Sequence, residues 1–306
     1  IIITSHIKNK FYRMIHMIYV YYKYLSKTDI VFIDVYSGNA FYYSLIFSIL
    51  CKIHKIPYVP ICRGGMLDKR LKNNKKLSNV IFSNSMINYT PSQRLKHIII
   101  KNNFNCKYVP NFLKIKDYNF KLRKKIKPKI LWVRAFHEIY NPIMALNAIQ
   151  IVKKKYPNVK LCMIGPDKDG SLNHFKTMVK NRNLTENIKC EGYLSKNEWI
   201  KLSTGYDIFI NTTNFESFGV SLIEAGALGM PLITTDAGEI KYLYKHGYDA
   251  LLVSKNDSSN MAFHIENIIS NERLAKTLSQ NVRKKAESFS WDRIKNNWTD
   301  VIDKTK

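Results

Sequence analysis

Short, mostly apolar runs recur along this chain, and between them apolar residues return every three or four positions. The runs fall at residues 29–35 (DIVFIDV), 57–62 (PYVPIC), 79–85 (NVIFSNS), 106–111 (CKYVPN), 129–135 (KILWVRA), 158–165 (NVKLCMIG), 188–194 (IKCEGYL), 207–213 (DIFINTT), 230–235 (MPLITT) and 250–253 (ALLV). The opening residues, IIIT, read the same way. A continuous apolar run is expected of a strand covered on both faces, so each is read as a buried strand.

The intervening stretches carry the helical period. Phe11, Met14, Ile15, Ile18, Tyr22 and Leu25 share one predicted face, and a second helix is expected over 37–54. A third is led by Thr90 and Pro91, as cap and first helical residue. Further helices are expected at 141–156, through His174 to Lys180, near Trp199 and at 239–246. The tail reads as helices at 258–270 and 271–288, then an amphipathic segment with Phe289, Trp291, Ile294, Trp298 and Ile302. Strands alternating with helices imply an α/β protein with parallel sheets and right-handed crossovers.

At 306 residues the chain suits two domains. The alternation stops at 114–128, a charged stretch without a clear period that reads as an exposed linker. It divides a first domain, 1–113, from a second, 129–289. No internal repeat and no low-complexity tail is evident.

Composition narrows the class. The content is 45% hydrophobic and 24% charged, that of a folded globular protein. The balance of 49 Lys+Arg against 23 Asp+Glu leaves +26, which favours anionic partners. Only 10 of the 49 are Arg, and the Lys are scattered, so much of the excess reads as compositional bias on a solvated surface. An RNA-binding protein is the alternative that the charge alone raises, but no RNA-binding motif accompanies it, and no nucleic acid is expected as a partner. Cys51, Cys62, Cys106, Cys162 and Cys190 have neither paired nor metal-ligand spacing, so free thiols in a reducing compartment are expected. No run reaches the ~20 apolar residues of a membrane span, and no signal peptide is read.

The densest chemistry lies at 214–229, NFESFGVSLIEAGALG. An apolar run ends at a polar turn carrying Glu216, Ser217 and Gly219, and a helix of small residues follows. The amides of Phe218, Gly219 and Val220 stand at its start, where unpartnered N–H groups and the positive end of the helix dipole attract phosphate. Glu216 and Glu224 flank that anion site. Two carboxylates there are expected to face a ligand rich in donors, such as sugar and ribose hydroxyls. Arg63, Gly64 and Gly65, at the end of a strand, are placed where open α/β sheets bind ligands.

The pattern ESFGVSLIEAGALGMPLITTDAGEI resembles the Glu-x7-Glu signature of the family 4 retaining glycosyltransferases, which have the GT-B fold. The likeness covers most of the chain and is sharpest over 130–253. It implies two doubly wound parallel-sheet domains facing a cleft, with a last helix, 290–306, joining the first domain. It also implies transfer of a hexose from a nucleoside diphosphate sugar to a hydroxyl acceptor, with no metal or other cofactor. On the matching positions, Arg134 pairs with the diphosphate, Glu216 holds hydroxyls of the transferred sugar and Glu224 accepts from the ribose. The amides of Phe218, Gly219 and Val220 cradle the diphosphate, with Ser221 a candidate side-chain donor. Gly165 and Tyr193 line the nucleotide.

Three departures qualify the likeness, one being that the family often has a His at the strand end where Cys62, Arg63, Gly64 and Gly65 stand here. The family's second cation falls within EIYNPIM, where no Lys stands, so Arg63 or a nearby Lys is expected to supply it. Its opening strand and Gly-rich loop have no counterpart after Ile1, so the chain is expected to be truncated at its start. An inactive relative that binds nucleotide sugar without turnover is therefore the nearer alternative. The likeness implies a saccharide or lipid-linked acceptor in cell-envelope synthesis. It also suggests a cytoplasmic protein, peripheral at the inner face of an anionic membrane.

Overall fold

A computed structural model describes residues 5–303, and the strand expected at residues 1–4 lies outside them. The chain divides into two compact units, Ile1–Pro110 with Lys295–Lys306, and Asn111–Ile294. Each is built on one parallel sheet.

In the first unit the strands β1 (Val31–Val35), β2 (Tyr58–Cys62), β3 (Asn88–Thr90) and β4 (Cys106–Tyr108) lie side by side in chain order. The first two run in register from Val31 opposite Tyr58 to Val35 opposite Cys62. Helices Phe41–Ile53, Lys75–Phe82 and Gln93–Lys101 connect them. The terminal helix Asn296–Asp303 belongs to this unit. Its Trp298 ring stands 5.7 Å from both Phe32 and Tyr89, and Val301 is buried against Val59 and Ile61.

Three expectations are corrected here. NVIFSNS is not a strand: Asn79 to Phe82 end the helix Lys75–Phe82, which buries Ser78, Ile81 and Phe82. Four apolar-rich residues fit either period, and the burial of positions three and four apart decides for helix. Thr90 ends β3 rather than capping a helix; Ser92 is the cap, its hydroxyl accepting from the Leu95 amide at 3.0 Å. The helix Lys10–Tyr24 is rotated from the expected face. Met14, Met17, Ile18 and Tyr21 pack inward while Phe11, Ile15 and Tyr22 are exposed, because the helix is apolar on more than one side.

The second unit holds a six-stranded sheet. It comprises β5 (Lys129–Val133), β6 (Lys160–Ile164), β7 (Ile188–Gly192), β8 (Ile208–Asn211), β9 (Leu232–Thr235) and β10 (Leu251–Val253), in the order β10-β9-β8-β5-β6-β7. Both faces are covered, as the unbroken apolar runs require. Ile130 and Trp132 of β5, Leu161 and Met163 of β6, and Ile208 and Ile210 of β8 enter one core. Their neighbours Leu131, Cys162 and Phe209 enter the other. From β5 the chain builds outward to β7, then returns to lay β8 on the opposite side of β5. The order therefore switches between β5 and β8, and ligands bind such sheets beyond the strand ends at that point.

The stretch 114–128 is not uniformly exposed. Tyr118 and Arg123 are buried, at 2% and 3% exposure. Arg123 can enter because backbone carbonyls take its guanidinium: Nη1 donates to Leu228 and to Lys121, and Nη2 to Tyr206. Burial holds its pKa down at about 10, with Asp207 opposing the shift. The helix expected at 239–246 is a single turn, Ile240–Leu243. Among the described residues no helix is long and apolar enough to cross a membrane.

Candidate functional site

The loops after β5 and β8 bring Arg134 and Glu216 together. Arg134 follows β5 directly, its amide donating to Ile164 at the end of β6 at 2.9 Å. Gly165 makes that approach feasible. Its φ is +155°, and a β-carbon there would overlap the Arg134 carbonyl and stand 2.9 Å from the Ala135 nitrogen. Arg134 Nη2 donates to Glu216 Oε2, and its guanidinium lies 5.3 Å from the centre of the Tyr140 ring. Both side chains of the pair are largely buried, and Arg134 Nε is buried with no hydrogen-bond partner.

Threonines fix the loop that carries Glu216. Thr212 Oγ1 accepts from Trp132 Nε1 at 3.0 Å and donates to the Tyr140 carbonyl at 2.8 Å. Thr235 Oγ1 donates to the Thr213 carbonyl at 2.6 Å. Glu216 is clamped from the far side as well, its carbonyl accepting from the Glu239 amide at 2.9 Å.

The helix Val220–Ala227 begins at Gly219, whose φ of +93° turns the chain and which offers no side-chain cap. Without a cap, the first-turn amides of Val220 and Ser221 have no partner on their own helix. The Phe218 amide differs from expectation: it points at Glu216 Oε1, at 3.4 Å, as the Ser217 amide does at 3.1 Å. Of the three amides read as a cradle, Gly219 and Val220 remain uncommitted. Ser221 Oγ is buried with no hydrogen-bond partner, an unspent polar group on the first turn of the same helix.

One turn further on, Glu224 is nearly buried. Its Oε1 accepts from the Tyr118 hydroxyl at 2.6 Å, and Lys196 Nζ stands 3.4 Å from the same oxygen. The ammonium of Lys196 also lies 5.0 Å above the Tyr118 ring. Burial, reinforced by Glu224, pushes the Tyr118 phenol well up, so it stays a protonated donor. Tyr118, Lys196 and Tyr140 escape a reading of the sequence. Tyr118 is a lone tyrosine among charges, and Lys196 opens a helix whose only written signal is the Ser195–Glu198 capping box.

The remaining candidates are less engaged. Tyr193 follows Gly192 with its ring mostly exposed. Arg63, Gly64 and Gly65 belong to the first unit. There Arg63 Nε pairs with Asp34 at 2.5 Å, the Arg63 and Gly64 amides donate to the Val35 carbonyl, and Arg94 Nη1 donates to the Gly65 carbonyl at 3.3 Å. Among the described residues no three His, Cys, Asp or Glu side chains group as a metal ligand set.

An uncharacterized glycosyltransferase of Methanocaldococcus jannaschii is 29% identical over 126 residues, 41% of this chain and 36% of that protein. The capsular polysaccharide biosynthesis glycosyltransferase CapM of Staphylococcus aureus is 28% identical over 161 residues, 52% of this chain and 40% of CapM. These matches span well under half of the curated relatives' own length. Among solved structures, Anabaena HepE in complex with UDP and glucose superposes with a TM-score of 0.77 at 15% identity, over 98% of this chain and 84% of that one. That likeness, at such low identity, speaks for the fold, which is GT-B. The model of the family glycosyl transferases group 1 matches residues 114–285, more than half of the chain and every residue described around Arg134, Glu216 and Glu224, and the chain belongs to that family.

Proposed function

We propose that this protein is a retaining glycosyltransferase that moves a hexose from a nucleoside diphosphate to a hydroxyl acceptor. The observation that carries the reading is the start of the helix Val220–Ala227, where uncommitted amides and the unpartnered Ser221 hydroxyl stand on the loop that pairs Glu216 with Arg134. Departure of the diphosphate is the demanding step, and fixed positive charge and helix amides aimed at it lower its barrier. In this reading Arg134 shifts from Glu216 to the diphosphate, and Glu216 takes hydroxyls of the transferred sugar. Glu224 accepts from the ribose, while Gly165 and Tyr193 line the nucleotide. Arg63, Gly64 and Gly65 are assigned to the phosphate or acceptor side.

Retention follows from attack on the face the diphosphate leaves. The bond from the anomeric carbon to the phosphate oxygen breaks, the bond to the acceptor oxygen forms, and the acceptor proton passes to the departing phosphate. No metal or other cofactor takes part.

The UDP and glucose named with HepE, and the capsular polysaccharide named with CapM, support a nucleotide-linked hexose and an envelope saccharide or lipid-linked acceptor. A charge of +26 suits work at the anionic cytoplasmic leaflet, where each nearby Lys adds about 1 kcal/mol of attraction. The test is a panel of uridine and guanosine diphosphate sugars, read as thermal shift and as donor turnover. Glu216→Ala abolishes turnover with the fold intact, and Arg134→Ala lowers it by about 100-fold or more. Near-normal turnover in both variants rules the reading out, and binding without turnover in the unaltered chain identifies an inactive relative.

A further inference from the structure

Tyr118 reaches a site 106 residues away in sequence and touches the one carboxylate that the proposed function gives to the ribose. A carboxylate has two oxygens and about four acceptor directions. Both donors near Glu224 fall on Oε1, the Tyr118 hydroxyl at 2.6 Å and Lys196 Nζ at 3.4 Å. Among the described residues no donor reaches Glu224 Oε2, and it is not among the side-chain atoms that are sealed and unpartnered. The group is thus half spent, with Oε2 left unpartnered and not sealed from solvent.

We infer that Tyr118 is a positioning residue that fixes Glu224 as a one-oxygen acceptor for a ribose hydroxyl, and so sets the preference of the site for ribonucleotide over deoxyribonucleotide donors. This rests on the assignment of Glu224 to the ribose. A 2.6 Å phenol-to-carboxylate bond is short and charge-assisted, so it holds the carboxylate plane against rotation. The phenol is held in turn by burial in the core beside Phe218, Leu222 and Ile223. A freely turning carboxylate could present either oxygen to water or to a sugar lacking a hydroxyl. A fixed one, once a bound ribose covers it and excludes water, is left unpaired when that hydroxyl is missing, which is the costly case that gives discrimination.

The experiment measures dissociation constants of UDP and GDP, and of the 2′-deoxy and 3′-deoxy analogues of whichever binds more tightly, for the unaltered protein and for Tyr118→Phe. In the unaltered protein the ribonucleotide binds roughly tenfold more tightly than at least one deoxy analogue, the value of a hydrogen bond to a charged group. Tyr118→Phe lowers ribonucleotide affinity by about tenfold and brings the ratio close to one. With a donor that turns over, KM rises while kcat stays within about twofold, because the reacting atoms are untouched. An unchanged ratio in a folded Tyr118→Phe makes Tyr118 a packing residue and overturns the inference alone. Failure of the unaltered protein to bind either nucleotide overturns the assignment beneath it as well. If Tyr118→Phe does not fold, Tyr118→Met is read instead by the same criterion, and the same ribose preference in it as in the unaltered protein refutes the inference.

Discussion

Gly238 lies flat against the backbone of Glu216. A β-carbon at Gly238 would stand 2.8 Å from the Glu216 nitrogen and overlap its carbonyl oxygen, and the φ of +63° strains any other residue there. Gly247 has a similar φ of +75° but open space around it. The pair separates strain from displacement. Alanine at Gly247 costs about 1 kcal/mol of stability and leaves turnover unchanged. Alanine at Gly238 moves Glu216 as well, so turnover falls by roughly tenfold or more beyond any loss of stability. Equal activities in the two variants would show that the Gly238 contact does not hold the acid in place.

The Arg134–Glu216 pair makes a prediction about stability that is separate from catalysis. Arg134→Ala leaves Glu216 largely buried, with only the Ser217 and Phe218 amides to face. Removing one member of such a pair strands the other charge, so the single variant loses about 2 to 3 kcal/mol in urea unfolding. Adding Glu216→Gln removes the stranded charge and restores at least half of the loss. Simple additivity of the two changes would mean that the groups are not coupled.

The legibility of this chain followed local density of signal. Residues 208–229 could be read directly, because an apolar strand, a glycine turn at Gly219 and a helix of small residues are consecutive, and Glu216 and Glu224 fall on them by position alone. The ion pair could not be read, since it joins residues 82 apart through the order of the strands. Tyr118 was hidden for the same reason and one more: its neighbours are charged, so nothing nearby announces that its ring is buried. The run NVIFSNS misled because its three apolar residues, Val80 to Phe82, carry too little of either period, whereas DIVFIDV has five, four of them consecutive. The Lys10–Tyr24 helix could be named but not oriented, because Phe11, Tyr12, Ile15 and Tyr19 make its exposed side as apolar as its inner one.

The cysteines offer a check on the packing of both units. Four of the five are buried, and all five are free. Burial raises Cys51 and Cys162 to about 11 and Cys106 to about 12, with Cys190 also at about 11 and Cys62 pushed up. At pH 8 a thiol of pKa 11 is about one part in a thousand thiolate, the reactive form. The native protein therefore reacts slowly with a thiol-specific disulfide reagent, and five equivalents appear rapidly in denaturant. Fast labelling of any buried thiol under native conditions would contradict the cores described.

Asp249 gives a pH dependence with a definite sign. It is 6% exposed, and its Oδ1 accepts from the Lys245 amide at 2.7 Å. Burial raises its pKa, and the Lys245 amide and the charge of Lys285 offset the rise only in part. The folded chain therefore keeps this proton to higher pH than the unfolded chain, whose aspartate titrates near 3.9. Between the two pKa values the folded state binds more protons, so this group's contribution to stability falls as pH rises through that window and is level above it. Asp249→Asn keeps an oxygen for the Lys245 amide and removes the charge. It is more stable than the parent at pH 7 in urea unfolding, and the advantage shrinks as the pH is lowered toward 4. A variant that is less stable at pH 7 and recovers toward pH 4 would show that the carboxylate is held by its partners rather than penalised by burial.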